Sequence, residues 1–398
     1  MPRRLLPGSG ARYKQRESFD HNRAAFMDPI YRIDDVSSII SPGLVVFRDL
    51  VAANIDRMIA ISGDLSRLRP HCKTHKMREI AEMELARGIT KHKAATIAEA
   101  EMLAQAGVKD VFLAYNIVGP NIGRVVEFRR RFPDVRFSVT GDHPRPVAQL
   151  GEALQSAGTS IEVLLDLDVG RNRTGLPPGE QAIALYEQIH RTPGLVAGGL
   201  HVYDGHLGIA DPTERRAAVE AAWKQVLAFR DVLTARGLPV PRIVAGGTPQ
   251  FPIYATFTEP TAEFSPGTCV FHDSGYGEKF SDLTGFRPAA LVLTRVMSRP
   301  TPNRVTFDVG TKGVASDPPM GERVTLPDIP DAKQVLQNEE HLVIETAQAD
   351  RWSPGDWTLA IPRHVCPTSA LYRQAYVVAN GRVVGMWDVV SRDRKLTV

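Results

Sequence analysis

The order of elements in the sequence predicts an α/β fold: a closed (β/α)8 barrel of the TIM type, followed by a smaller, mainly β domain. Three observations predict it. Between about residues 44 and 287, eight short apolar or β-branched runs are separated mostly by amphipathic helical stretches. Beyond about residue 288 the texture changes to strand-like alternation. There, Asn380-Gly381 between YVVA and RVVGMW is the dipeptide favoured by a two-residue type I′ hairpin. The expected boundaries are an N-terminal arm over 1–43 that can join the β domain, a barrel over 44–287 and a β domain over 288–398.

In chain order, LRPHCKTHK precedes the helical MREIAEMELARG, and KHKAAT precedes IAEAEMLAQAG. DVFLAYN leads into IGRVVEFRRRF, VRFSVTGD into PRPVAQLGEALQSAG, and IEVLLDLDVG into GEQAIALYEQIHRTPG. LVAGGLHVYDGH is followed by the long DPTERRAAVEAAWKQVLAFRDVLTARG. That helix opens with Asp211 as N-cap, Pro212 at the first helical position and Glu214 completing a capping-box-like pair. RIVAGGT and TAEFSPGTCVFHD supply the last two barrel strands. Functional residues are then expected at the C-terminal ends of these strands.

Composition narrows the function. The chain has 398 residues, 43% hydrophobic and 23% charged, which is an ordinary globular balance of enzyme size. A net charge of +3 from scattered basic residues gives no nucleic-acid stripe. Cys72, Cys269 and Cys366 form neither an even set nor a CxxC pair, which suits thiols in a reducing cytoplasm rather than a disulfide framework. The N-terminal MPRRLLPGSGARYKQRE lacks the apolar run of an export signal, and no window approaches a membrane span.

The stretch LRPHCKTHKM, residues 68–77, has three readings on its residues alone. It is a basic surface patch, although Leu68, Pro70 and Cys72 alternate like a half-buried strand. It is a metal cluster, although His71 and His75 share a face only if the segment is helical, which Pro70 disfavours. Or it seats Lys73 at a strand end, where partial desolvation beside other cations makes a nucleophilic amine.

Four further groups bear on that choice. Gly246, Gly247 and Thr248 follow the seventh strand, the usual barrel site of a phosphate cradle, and SPGT over 265–268 supplies a second small-residue loop beside it. In DLDVGRNRTG, Arg173 suits donation to a ring nitrogen, while Asp166, Asp168, Arg171 and Arg173 together suit a salt-bridged rim. HVYDGH contributes His201, Tyr203 and His206, with Tyr203 able to pack on a cofactor or serve as a rim aromatic. His364 and Cys366 in IPRHVCPTSALY lie two apart, so on a strand they point the same way, as ligands for zinc or as a structural pair.

Taken together, PHCKTHK, GRNRTG, HVYDGH, AGGT, SPGT with the following DSGY, and RHVCPT resemble the D-threonine aldolase and D-serine dehydratase family from about residue 40 to the C-terminus. That resemblance implies a fold-type III pyridoxal-phosphate enzyme related to alanine racemases. It implies pyridoxal 5'-phosphate on Lys73, Arg173 facing the pyridine nitrogen, and cofactor or phosphate contacts from Tyr203 and from Gly246, Gly247 and Thr248. It also implies a divalent metal, zinc, manganese or magnesium, on His364 and Cys366, with Lys73 and His364 serving catalysis. The substrate would be a small D-β-hydroxy amino acid, and the protein a cytoplasmic homodimer with no nucleic-acid or membrane partner.

Two outcomes stay open within the resemblance. Removal of the hydroxyl proton breaks Cα–Cβ and gives glycine and an aldehyde; loss of the Cα proton, to Lys73 for instance, gives ammonia and an oxo acid. The family aldolases pair histidine with aspartate and the dehydratases pair it with cysteine, so Cys366 points to the dehydratase. The RHVCPT context and trailing domain are more similar to the aldolases, and the reading leans that way. A racemase would need a base on each face of Cα and no metal pair. A cofactor carrier is typically a barrel alone.

Overall fold

The computed structural model describes residues 28–398, so most of the predicted N-terminal arm, residues 1–27, lies outside the described residues. The first strand, β1 (Gly43–Phe47), is followed by helix α1 (Arg48–Ser62). Seven strands then form one parallel sheet in chain order: β2 (Lys91–Ala94), β3 (Asp110–Asn116), β4 (Arg136–Gly141), β5 (Ile161–Leu167), β6 (Leu195–Val202), β7 (Ile243–Ala245) and β8 (Ala262–Phe264). Helix α2 (Arg78–Leu85) precedes β2, and between the strands run α3 (Ile97–Gln105), α4 (Asn121–Arg131), α5 (Pro144–Ser156), α6 (Glu180–Arg191), α7 (Pro212–Ala235) and the single turn α8 (Phe251–Tyr254).

Residues 68–72 join the two edges of this sheet and complete eight staves. Arg69 and His71 donate backbone N–H to Phe264 and Pro266 on one side, at 2.8 and 2.9 Å. On the other, Lys93 donates to Pro70 O at 2.8 Å and Cys72 to Lys93 O at 3.0 Å. Both faces of this stave are buried, Arg69 and His71 as well as Leu68 and Cys72. The half-buried alternation read from the sequence is corrected accordingly.

Helix starts follow their caps. Thr96 Oγ1 accepts Glu99 N–H at the head of α3, and Asp211 Oδ1 accepts Thr213 and Glu214 N–H, both at 2.9 Å, at the head of α7. The strands bury Val163, Leu165 and Leu167 outward under the helices, whereas Leu164, Phe112 and Val244 fill the barrel interior.

After α9 (Ser274–Lys279) the chain builds the second sheet from β9 (Ala290–Thr301), β10 (Arg304–Phe307), β11 (Val324–Thr325), β12 (Lys333–Gln337), β13 (Leu342–Glu345), β14 (Trp357–Pro362), β15 (Gln374–Ala379) and β16 (Arg382–Asp388), with α10 (Val365–Leu371) after β14. Asn380 and Gly381 take φ of 49° and 77°, the left-handed pair a type I′ turn requires. Strand β1, read from sequence with the barrel, instead pairs antiparallel with β9 and parallel with β15. All five of its residues are buried, and only a sheet covered on both faces accommodates such a run. Among the described residues no helix is long and apolar enough to cross a membrane.

Candidate active site

The crowded stretch at 68–77 is a strand end that turns sharply. Cys72 O accepts N–H from His75 and Lys76, at 3.2 and 2.9 Å, and Lys76 adopts a φ of 55°. Wholly buried Glu99 fixes the turn: it pairs with Lys76 Nζ, accepts Ala95 N–H at 2.6 Å and lies 3.7 Å from Cys72 Sγ. His75 Nδ1 accepts Met77 N–H at 3.1 Å, and His71 Nδ1 accepts Lys73 N–H at 3.4 Å. His71, Cys72 and Glu99 gather donor atoms within 4.8 Å, but Lys76 already neutralises Glu99, and burial followed by Glu99's charge pushes the Cys72 thiol well up. The motif's spare cation and histidines therefore shape the backbone that presents Lys73.

Lys73, Arg173, Tyr203, Gly246, Gly247 and Thr248 all line one cavity of about 670 Å³ at the C-terminal mouth of the barrel. Arg173 Cζ lies 4.6 Å and Lys73 Nζ 5.9 Å from the centre of the Tyr203 ring, so this aromatic is within cation–π reach of both cations. The salt-bridged rim does not form: among the described residues no ion pair joins Asp166 or Asp168 to Arg171 or Arg173. Asp168 Oδ1 instead accepts the backbone N–H of Gly170, Arg171 and Asn172, and Asp166 turns inward. His206 also leaves the cavity wall to Tyr203, its Nε2 lying against Gly170.

The small-residue loops after β7 and β8 meet here. Gly246 has a φ of 74°, and a Cβ on it would lie 2.8 Å from the Tyr254 ring. Thr248 Oγ1 accepts N–H from Gly267 and Thr268, at 3.1 and 3.0 Å, so the hydroxyl stitches the two loops together rather than serving first as an anion donor. Ser265 Oγ and Gln250 Oε1, both buried in the cavity wall, have no protein hydrogen-bond partner. Buried polar atoms left unmet cost free energy, so this wall suits a polar occupant such as a phosphorylated pyridine.

His364 and Cys366 do not lie on a strand. His364 is the N-cap of α10 and Cys366 lies in its first turn, because β14 ends at Pro362. The sequence expectation of a shared strand face is corrected, yet the pair converges. Burial raises the Cys366 thiol pKa, but His364 and the charge of Lys73 outweigh it and leave it lowered, toward the metal-binding thiolate. His364 Nδ1 is 2.5 Å from Asp317 Oδ2, the carboxylate support typical of a metal-binding imidazole. This donor set fits a zinc-like ion.

Sequence reading missed three features of the site: Asp317, the buried Asp204 behind Tyr203, and Lys93 on β2. Asp204 accepts from Tyr254 OH at 2.9 Å. The signal for Lys93 was a charged residue at the centre of KHKAA, a run whose neighbours mark it as a barrel strand.

Comparison with known proteins agrees with this architecture. Residues 47–275 match the family described as "Alanine racemase, N-terminal domain", and 289–378 match "Putative serine dehydratase domain". The chain is 30% identical to a D-threonine aldolase of Arthrobacter sp. over 92% of its own length and 94% of that protein. It is 28% identical to a 3-hydroxy-D-aspartate aldolase of Paracoccus denitrificans over 90% of this chain and 94% of the relative. The crystal structure of D-threonine aldolase from Filomicrobium marinum superposes with a TM-score of 0.82 at 27% identity, covering 89% of this chain and 96% of that one.

Proposed function

This chain belongs to the D-threonine aldolase and D-serine dehydratase family of alanine racemase-like proteins, and from that premise we propose that it cleaves D-β-hydroxy amino acids as an aldolase. It is a pyridoxal-phosphate-dependent lyase by family. The observation that carries the reading is the shared cavity: Lys73, Arg173, Tyr203 and the glycine loop enclose one space, and Cys366 Sγ of the second domain lies 3.6 Å from the hydroxyl of Thr268 in its wall.

When bound, pyridoxal phosphate supplies an electron sink for charge developing at Cα, and a divalent ion supplies Lewis acidity toward the β-hydroxyl. In the proposed roles, Lys73 Nζ anchors the cofactor and holds or returns a proton at the reacting face. Arg173 donates to the ring edge, and Gly246, Gly247 and Thr248 shape the phosphate seat. His364 and Cys366 hold the ion, with Asp317 orienting the imidazole.

A dehydratase is the second reading, favoured by Cys366: a thiolate prefers zinc over magnesium or manganese, and the family dehydratases carry cysteine at this place. Product analysis decides. Glycine and acetaldehyde from D-threonine, under defined zinc, manganese or magnesium, support the aldolase; pyruvate and ammonia from D-serine support the dehydratase. Absence of both sets of products, with no cofactor band in the visible spectrum, would sink the proposal. We also propose a homodimer, on the family resemblance, testable by sedimentation.

A further inference from the structure

Beneath the cavity, three buried side chains span the barrel interior. Asp166 on β5 lies 2.7 Å from His201 Nδ1 on β6, and His201 Nε2 lies 2.9 Å from Lys93 Nζ on β2. Neighbouring register explains the first contact, since Asp166 pairs with His201 across β5 and β6. The second crosses the barrel, because Lys93 sits on the far stave beside Phe112, whose ring centre is 5.8 Å from Nζ. All three line the cavity and are 3–6% exposed, with Lys93 at 3%.

The protons follow from the partners. Burial works against the Asp166 charge, but the His201 hydrogen bond outweighs it and keeps the carboxyl below its usual range. His201 Nδ1–H therefore donates to Asp166, and burial, reinforced by Lys93, pushes the imidazole pKa down to about 4. Its Nε2 is left as an acceptor aimed at Lys93. Burial, then repulsion from Lys73, pushes the Lys93 amine down to about 7, against the pull of Asp166. The other titratable groups around it are Arg69 and His71 on the closing stave, Arg173 beyond β5 and Asp204 beyond β6.

An amine placed here is costly to a fold. A methionine would fill the same space against Phe112 without desolvating a charge, so packing gives no reason for Lys93. We infer that Lys93 is a positioning residue for the cofactor: its Nζ, tied through His201 to Asp166, is a proton-holding group that sets the charge of the cavity floor. This rests on the cofactor reading above. With the proton on Nζ, Lys93 balances Asp166 and the three-residue chain is neutral. When the proton passes to water, the chain carries one negative charge. A bound pyridine ring feels that change as a shift in its own proton equilibria.

The test uses the full chain loaded with pyridoxal phosphate, its visible spectrum recorded from pH 5.5 to 9. The wild type should show a spectral step with a midpoint below the ordinary lysine range, because burial, the largest cause of the lowered Lys93 pKa, persists when Lys73 carries the cofactor. Lys93→Arg, always charged, should hold the low-pH spectrum throughout, and Lys93→Met the high-pH one. Asp166→Asn, which removes the charge opposing deprotonation, should move the midpoint to lower pH. A wild type without a step, or a step that survives unchanged in the arginine variant, overturns the inference. If Lys93→Met does not fold, the arginine and Asp166→Asn spectra still decide. A wild type with no visible band on addition of pyridoxal phosphate refutes the cofactor reading itself, and this inference with it.

Discussion

Thr74 Oγ1 lies 3.2 Å from Cys366 Sγ, so the residue next to Lys73 touches the second domain within one chain. Ser369 Oγ reinforces the junction by donating to Thr74 O at 2.5 Å. The turn that presents the Lys73 amine and the helix that carries Cys366 are thus fixed to each other. A shift of either domain would move both.

Lys73→Ala should abolish the visible cofactor band and lower turnover by about 10²–10⁴-fold, the usual loss when a positioned proton-transfer group is removed. Far-UV circular dichroism should be unchanged. A variant that keeps the wild-type band would reassign the anchoring lysine.

Asp317→Asn should weaken metal binding by about 10–100-fold, because the His364 imidazole loses the carboxyl group that supports it. Competition with a chromogenic chelator measures this directly. Unchanged affinity would exclude His364 as a ligand oriented through Asp317.

Thr248→Val should leave the N–H groups of Gly267 and Thr268 without an acceptor, at about 1–3 kcal/mol, and loosen the cofactor as the two loops part. Urea denaturation reads the first effect and fluorescence titration with pyridoxal phosphate the second. Serine at 248, which restores the oxygen, should recover most of both.

Arg69→Met removes a fully buried guanidinium that bonds Glu263 at 2.5 Å and Asp110 at 2.7 Å at the foot of the closing stave. Two carboxylates are then left under-compensated, and a loss of about 3–5 kcal/mol is expected. Replacing Glu263 by glutamine as well should return part of that loss, which chemical denaturation would show.

Asp204 gives a pH signature. Burial raises its carboxyl pKa to about 6 from an ordinary 3.8, so the folded chain binds this proton more tightly than the unfolded one. Stability therefore falls as pH rises from about 4 to 6, and the whole cost of the buried charge is present above 6. Asp204→Asn should be more stable than wild type at pH 7 by about 3 kcal/mol and nearly equal at pH 4. A gap in melting temperature that does not close on acidification would count against this account.

The sequence by itself determined the succession of βα units, the hairpin at Asn380-Gly381 and the residue types of the chemistry. Each of these is written locally, in apolar spacing, turn dipeptides and strand-end motifs. It placed Lys73, Arg173, Tyr203 and the Gly246-Gly247-Thr248 loop at strand ends, and closure of the barrel turns strand ends into one cavity wall. Tertiary structure alone decided the rest. Strand β1 left the barrel because its pairing partners β9 and β15 lie some 250 and 330 residues further on, beyond any local pattern. Lys93 reads as one more lysine in KHKAA until the barrel closes and sets its Nζ against His201 from the opposite side. Likewise only the folded second domain sets Asp317 against His364 and brings Cys366, which its motif had already singled out, against Thr74. Periodicity records which way a side chain faces; what it meets across a closed sheet depends on the whole chain.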